Sequence, residues 1–137
     1  MDHGFNRTRI RLPRPAGTYT DEAARAFAAR PRIDEPNLFE CASFDEVFDC
    51  VDRGKCEFGV VAKENSLEGS VTATLDNFSF KSSATILGEE VIDIHHCLVM
   101  HPRREDSRTL HGGSHAQGLA QCRRFLSERL PGRSTIT

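Results

Sequence analysis

The sequence predicts an α/β protein organised around a parallel sheet. Through the first sixty residues, short apolar runs alternate with amphipathic helical stretches in the order strand, helix, strand, helix, strand. Each helical stretch also opens on capping residues and closes on proline or glycine.

Ile10–Leu12 is the first expected strand, cut short by Pro13, which has no N–H to donate to a central ladder. Pro15-Ala16-Gly17-Thr18 turns the chain. Thr20 is the expected N-cap of the first helix, Asp21 and Glu22 suit its positive end, and Ala23, Ala24, Phe27 and Ala28 form a small apolar face that Pro31 ends. Leu38–Cys41 reads as the second strand. Ser43-Phe44-Asp45-Glu46 is a capping box, Val47, Phe48 and Val51 supply the buried stripe behind it, and Gly54 caps the C-terminus. Phe58–Ala62 is the third, buried strand, and the loop at its carboxyl end is the expected ligand edge.

A second unit follows the helical or extended segment 71–80. Thr85–Leu87 and Val91–Leu98 read as strands separated by the Gly88-Glu89-Glu90 turn, and the polar run 101–109 reads as a solvated connection. Gly112-Gly113 then leads to Ser114, the N-cap of a helix reaching Leu130 with Ala116, Leu119, Cys122, Phe125, Leu126 and Leu130 on its apolar side. Gly118 inside that helix costs roughly 1 kcal/mol relative to alanine unless close backbone packing requires it.

Composition narrows the function. At 137 residues the chain has room for one ordinary domain. Eighteen Lys and Arg against 20 Asp and Glu give a net charge of -2, which argues against nucleic acid as partner, although seven arginines fall in the first 32 positions. No run approaches the roughly 18 apolar residues of a membrane span, and the basic N-terminus has no apolar core of a secretory signal, so a cytoplasmic location away from membranes is expected. Cys41, Cys50, Cys56, Cys97 and Cys122 form no CxxC pair and suit a reducing compartment. His95, His96, Cys97 and His101 suggest zinc, but neighbouring histidines of a strand point to opposite faces, so no metal site is expected.

Two segments carry chemistry. Glu64, Asn65 and Ser66, directly after the third strand, offer a carboxylate, an amide and a hydroxyl, a set able to grip a hydroxylated dicarboxylate or ketoacid. The plainer reading is a turn in which Asn65 bonds to nearby backbone and Glu64 is solvated. Ser114, Gln117 and Gln121 form one polar stripe at spacings of three and four, either holding a ligand carboxylate or facing solvent. Lys63 reads as solvated and Cys122 as buried. His115 beside Ser114 makes no hydrolase dyad, because adjacent helical residues do not face one another.

Four ordered pieces resemble prephenate dehydratases over residues 9–130. They are Pro15-Ala16-Gly17-Thr18-Tyr19-Thr20 with Glu22-Ala23-Ala24; Gly59-Val60-Val61 leading into Glu64-Asn65-Ser66-Leu67-Glu68-Gly69-Ser70-Val71; Ile86-Leu87-Gly88-Glu89-Glu90-Val91 running to His95-His96-Cys97-Leu98; and Ser114-His115-Ala116-Gln117 with Leu119-Ala120-Gln121-Cys122. The resemblance implies a two-lobed fold like that of periplasmic binding proteins, with residues 8–78 as the first α/β lobe and 79–137 as an incomplete second one.

It implies prephenate as substrate in the cleft between the lobes, converted to phenylpyruvate, water and carbon dioxide in phenylalanine biosynthesis without metal or organic cofactor. Glu64 is then the catalytic candidate, and Thr18, Asn65, Ser66, Ser114, Gln117 and Gln121 bind substrate. Pro13-Arg14 replaces the family's Leu-Gly, Ala62-Lys63 its Pro-Ile before the triplet, and Ala116 and Gly118 its usual proline and alanine. The family's late Thr-Arg-Phe motif has no counterpart, and no regulatory ACT-like module fits the remaining residues. The resemblance thus implies a truncated relative or a fragment of a larger enzyme. An incomplete sheet favours a homo-oligomer. The alternative function is a noncatalytic small-molecule or protein-binding remnant of the same fold.

Overall fold

A computed structural model of the chain describes residues 8–66, 69–99, 112–114, 116–132 and 135–136. The chain divides into two compact units, Met1–Asp93 and Ile94–Thr137.

In the first unit, β1 (Arg9–Pro13) is the central strand of a three-stranded parallel sheet, between β2 (Asn37–Cys41) and β3 (Phe58–Gly59). Helices α1 (Tyr19–Ala28) and α2 (Phe44–Asp52) make the two crossovers. Ile10 lies opposite Leu38 and Phe58, and Arg11 opposite Phe39 and Gly59. The Phe58 ring meets Phe27 of α1 edge-on at 5.2 Å, whereas a Cβ on Gly59 would stand 2.6 Å from Val47 Cγ1 of α2. Successive strand residues face opposite ways, so the two helices cover opposite faces of the sheet. That arrangement follows from two right-handed crossovers leaving the sheet in opposite directions.

Pro13 sits at the end of this central strand without disrupting it. The carbonyls of Arg9 and Arg11 accept from Glu57 and Val60 N–H at 3.1 and 2.8 Å, so alternate residues of β1 address the β3 side. Pro13 is the next residue in that series, and it lies past the last β3 partner, Gly59. On the other side, Arg14 N–H donates to the Cys41 carbonyl at 2.9 Å. The missing N–H therefore costs no ladder bond.

The packed layers are small and apolar. Ile10 and Leu12 are 0% and 2% exposed. Under α2, Cys41, Val47, Cys50 and Cys56 form one cluster, with Val51 and Val61 against it. Burial pushes the Cys41 thiol up to about 11 and raises that of Cys56, so these sulfurs pack rather than react. All five cysteines are free. At the amino ends of the strands, the Arg9 guanidinium pairs with Glu57 at 2.7 Å and Arg9 N–H donates to Glu57 Oε2, and the two, the guanidinium first, hold the Glu57 carboxyl down to about 2.

The second helix starts and stops as the sequence predicts. Ser43 Oγ accepts from Glu46 N–H at 3.2 Å, while Glu46 Oε2 accepts from Ala42 N–H at 2.6 Å, one residue before the usual capping-box partner. Gly54, at φ +64, ends it. Gly54 N–H reaches the Val51 carbonyl and Lys55 N–H the Cys50 carbonyl, the two bonds of a Schellman cap.

Two expectations are corrected here. The third strand is two residues long instead of spanning Phe58–Ala62. Residues 82–99, expected to hold strands Thr85–Leu87 and Val91–Leu98, form neither strand nor helix. A strand needs a neighbour for its N–H and C=O groups, and among the described residues none pairs with this segment. Side chains hold it instead. Asp52 Oδ1 accepts from Ser83 N–H and Oγ at 3.1 and 3.0 Å, and Arg30 donates to the Glu89 carbonyl and pairs with Glu90 at 2.6 Å.

In the second unit, β6 (Gly112–Gly113) pairs in parallel with β7 (Thr135–Ile136). The helix expected to run from Ser114 to Leu130 is two pieces, α4 (Ala116–Gln121) and α5 (Arg123–Arg129). The i to i−4 bonding continues across Cys122 through Cys122 N–H to Gly118 and Leu126 N–H to Cys122. The run 101–109 and His115 lie outside the described residues. No helix among the described residues is long and apolar enough to cross a membrane.

Candidate functional site

Two of the sequence-predicted segments follow the carboxyl ends of adjacent strands in the first unit. After β1, the chain turns through Gly17, at φ +80, into α1. Thr18, not Thr20, is the cap, and its Oγ1 accepts from Asp21 N–H at 3.3 Å. The earlier start has a local cause: Asp21 Oδ2 reaches back to Gly17 N–H at 2.9 Å and also receives Arg25 Nε at 3.2 Å. The Gly17 amide first, and then Arg25, hold this buried carboxyl below the usual carboxylate range. Thr18 thus spends its hydroxyl's acceptor capacity partly on the helix, with its O–H still able to donate.

After β3, the expected ligand loop is a small hairpin. β4 (Glu64–Asn65) pairs antiparallel with β5 (Gly69–Ser70), Glu64 opposite Ser70 and Asn65 opposite Gly69. Gly69 adopts φ +82, a conformation that a side chain would strain. Glu64 and Ser66 are exposed and Asn65 is half-buried. Leu67 and Glu68 lie outside the described residues. Carboxylate, amide and hydroxyl therefore stand on three consecutive residues of one short ladder and its turn.

After the hairpin comes α3 (Thr72–Asp76), continued by a π-helix at Asn77–Lys81. Thr74 and Asn77, 0% and 2% exposed, are the buried polar groups that sequence reasoning missed. Thr74 Oγ1 donates to the Ala62 carbonyl at 2.6 Å. The Asn77 amide donates to Asp45 Oδ1 of α2 at 2.5 Å and to the Ala73 carbonyl at 2.8 Å. Asn77, and after it Lys81, lower the Asp45 carboxyl pKa. A threonine and an asparagine at i and i+3 were the available signal, but only the tertiary partners give it meaning.

A separate concavity of about 310 Å³ is lined by Arg14, Glu40, Cys41, Ala42 and Glu46. Its two carboxylates against one guanidinium disfavour a dianionic ligand, and Glu46 is already bonded to the start of α2.

In the second unit, a Cβ at Gly118 would stand 2.7 Å from Ser114 Oγ, so alanine there would require the serine hydroxyl to turn away. Gln117 and Gln121 lie one turn apart on α4. His96 Nε2 donates to Gln121 Oε1 at 2.8 Å. The expected opposition of His95 and His96 across a strand does not apply, because no strand forms there.

A parallel sheet whose carboxyl ends carry a capped helix start and an acid–amide–hydroxyl hairpin defines a mixed α/β protein of the class that places ligands on loops beyond the sheet. The family described as prephenate dehydratase matches residues 14–137, and the chain belongs to it. A bifunctional chorismate mutase/prephenate dehydratase of Stutzerimonas stutzeri is 40% identical over 117 residues, covering 85% of this chain and 31% of that protein. A prephenate dehydratase of Amycolatopsis methanolica is 33% identical over 129 residues, covering 94% and 40%. The X-ray structure of prephenate dehydratase from Streptococcus mutans matches at 29% identity and a TM-score of 0.46, over 56% of this chain and 37% of its own. The chain thus spans about a third of the length of the curated relatives it matches.

Proposed function

We propose that this chain acts on prephenate, forming phenylpyruvate, water and carbon dioxide in phenylalanine biosynthesis. The observation that carries this reading is the hairpin: Glu64, Asn65 and Ser66 stand together past the carboxyl end of β3 in a member of the prephenate dehydratase family. In the reaction the C4–O bond breaks and the hydroxyl takes up a proton and leaves as water. The electron pair of the ring–carboxylate bond enters the ring, carbon dioxide departs, and aromatisation drives the step. The protein's task is to orient a dianion and assist the leaving hydroxyl.

Glu64 engages the C4 hydroxyl, while Asn65 and Ser66 bind substrate polar groups from the same hairpin. Thr18 contributes from the start of α1 through its hydroxyl proton. In this reading residues 8–78 are the first lobe of a two-lobed fold like that of periplasmic binding proteins, and 79–137 belong to the second. Ser114, Gln117 and Gln121 approach from that second lobe, and the stripe of two glutamines on α4 supports their role as amide donors to substrate carboxylates.

The test is incubation of the purified protein with prephenate at neutral pH, with phenylpyruvate quantified against an enzyme-free control because acid alone promotes the conversion. Product formed in proportion to protein is expected. Saturable prephenate binding without product, from a sample folded by circular dichroism, would contradict dehydration and identify a noncatalytic binding module.

A further inference from the structure

We propose that Thr74 is a positioning residue for the Glu64–Asn65–Ser66 hairpin: its buried hydroxyl fixes the backbone on which the hairpin is mounted, and through it the affinity for substrate. This rests on the reading of the hairpin as the prephenate site.

The hairpin is a weak element by itself. Its ladder is two residues on each side, and an isolated two-stranded hairpin is at best marginally stable in water. Beyond Gly59 the chain leaves the parallel sheet after one further bond, Val60 N–H to the Arg11 carbonyl at 2.8 Å, so residues 61–63 have no strand to hold them. The first turn of α3 supplies what the sheet does not. Thr74 Oγ1 donates to the Ala62 carbonyl at 2.6 Å, and Val71 N–H donates to the Lys63 carbonyl at 2.8 Å. Two consecutive carbonyls immediately before Glu64 are thereby fixed to one helical turn.

That turn is itself tied to the sheet's own layer. One turn after Thr74, Asn77 donates to Asp45 in the first turn of α2, and Lys81 adds an ion pair to the same carboxylate at 3.3 Å. The Phe48 and Phe78 rings meet edge-on at 4.9 Å across the same junction. The line of support runs from α2 through Asn77 and Thr74 to Ala62, and from there to Glu64. Serine at position 74 keeps the hydroxyl; valine keeps the shape and removes it, leaving the Ala62 carbonyl without its donor.

Hydrogen exchange of backbone amides, compared among wild type, Thr74→Val and Thr74→Ser without ligand, reads positioning directly. In Thr74→Val the amides of Asn65, Ser66 and Val71 are expected to exchange about tenfold faster while those of β2 and α1 are unchanged, and Thr74→Ser is expected to restore wild-type rates. Prephenate titration by calorimetry is expected to show Thr74→Val binding about tenfold more weakly and Thr74→Ser binding as wild type. Equal hairpin exchange in wild type and Thr74→Val, or equal loss in the serine variant, would overturn the proposal, as would unchanged affinity in Thr74→Val. Acceleration of all amides alike would also overturn it, by assigning Thr74 to global stability. Where Thr74→Val does not fold, Thr74→Ala carries the same comparison. If wild type itself binds no prephenate, the functional reading fails, and the exchange comparison alone decides whether Thr74 positions the hairpin.

Discussion

Replacing Glu64 by glutamine is expected to lower kcat/KM for prephenate about 100-fold, the scale on which positioned acid–base groups act. The substitution keeps the size of the side chain and removes the carboxylate. Glu64 takes part in the β4–β5 ladder through its backbone, and its side chain is exposed, so the fold does not depend on its charge. Steady-state kinetics and urea unfolding of the same preparation separate the two effects: the loss is expected in kcat/KM, with the unfolding midpoint unchanged. A kcat/KM within about twofold of wild type would remove Glu64 from the reaction, since such a change is below what even a modest acid–base contribution supplies.

Ile10→Ala is expected to destabilise the first unit by about 2–5 kcal/mol, the range for truncating a large buried aliphatic side chain. Ile10 is 0% exposed on the central strand, opposite Leu38 on one side and Phe58 on the other. Its loss opens a cavity on the same face where Phe58 meets Phe27 of α1. Because β3 and the residues after it carry the hairpin, the same variant should also weaken prephenate binding at temperatures where unfolding begins. Urea denaturation checks the first claim; an unchanged midpoint would show that the central strand does not organise this core. Val91, 85% exposed, is the matching apolar control, where truncation should leave the midpoint in place.

The legible parts of the fold were those coded locally. The two crossover helices carry their own start and stop signals: Ser43 and Gly54 cap α2 as their spacing implies, while Glu46 reaches back one residue further, to Ala42 N–H. The three parallel strands follow from their alternation with those helices. Strand extent was not legible, because a strand's length depends on its neighbour. Phe58–Ala62 is apolar throughout, yet only Phe58 and Gly59 have partners on β1. The apolar pattern of 85–98 reads as strand for the same reason, and it lacks a described partner.

The helix start after β1 moved from Thr20 to Thr18 because Asp21, assigned on sequence grounds only to the helix's positive end, also closes the turn onto Gly17. In the candidate site, the chemistry of Glu64, Asn65 and Ser66 was visible as three residue types in a row. Their mounting was not. Gly69 at positive φ makes the return of the hairpin, and Thr74, eight residues after Ser66, bonds its base; neither is deducible without knowing which backbone groups β3 leaves unpaired. At Gly118 the close neighbour is the Ser114 side chain and not the packed backbone that the sequence reading invokes.

The most direct test is an amide chemical-shift titration of the isotopically labelled protein with prephenate. Saturable shifts at Glu64, Asn65 and Ser66, with a weaker response in β2, are the expected result and would place the substrate on the hairpin past β3. Saturable shifts confined to other residues, or none at these three up to millimolar ligand (about the weakest affinity a specific metabolite site sustains), would contradict the account.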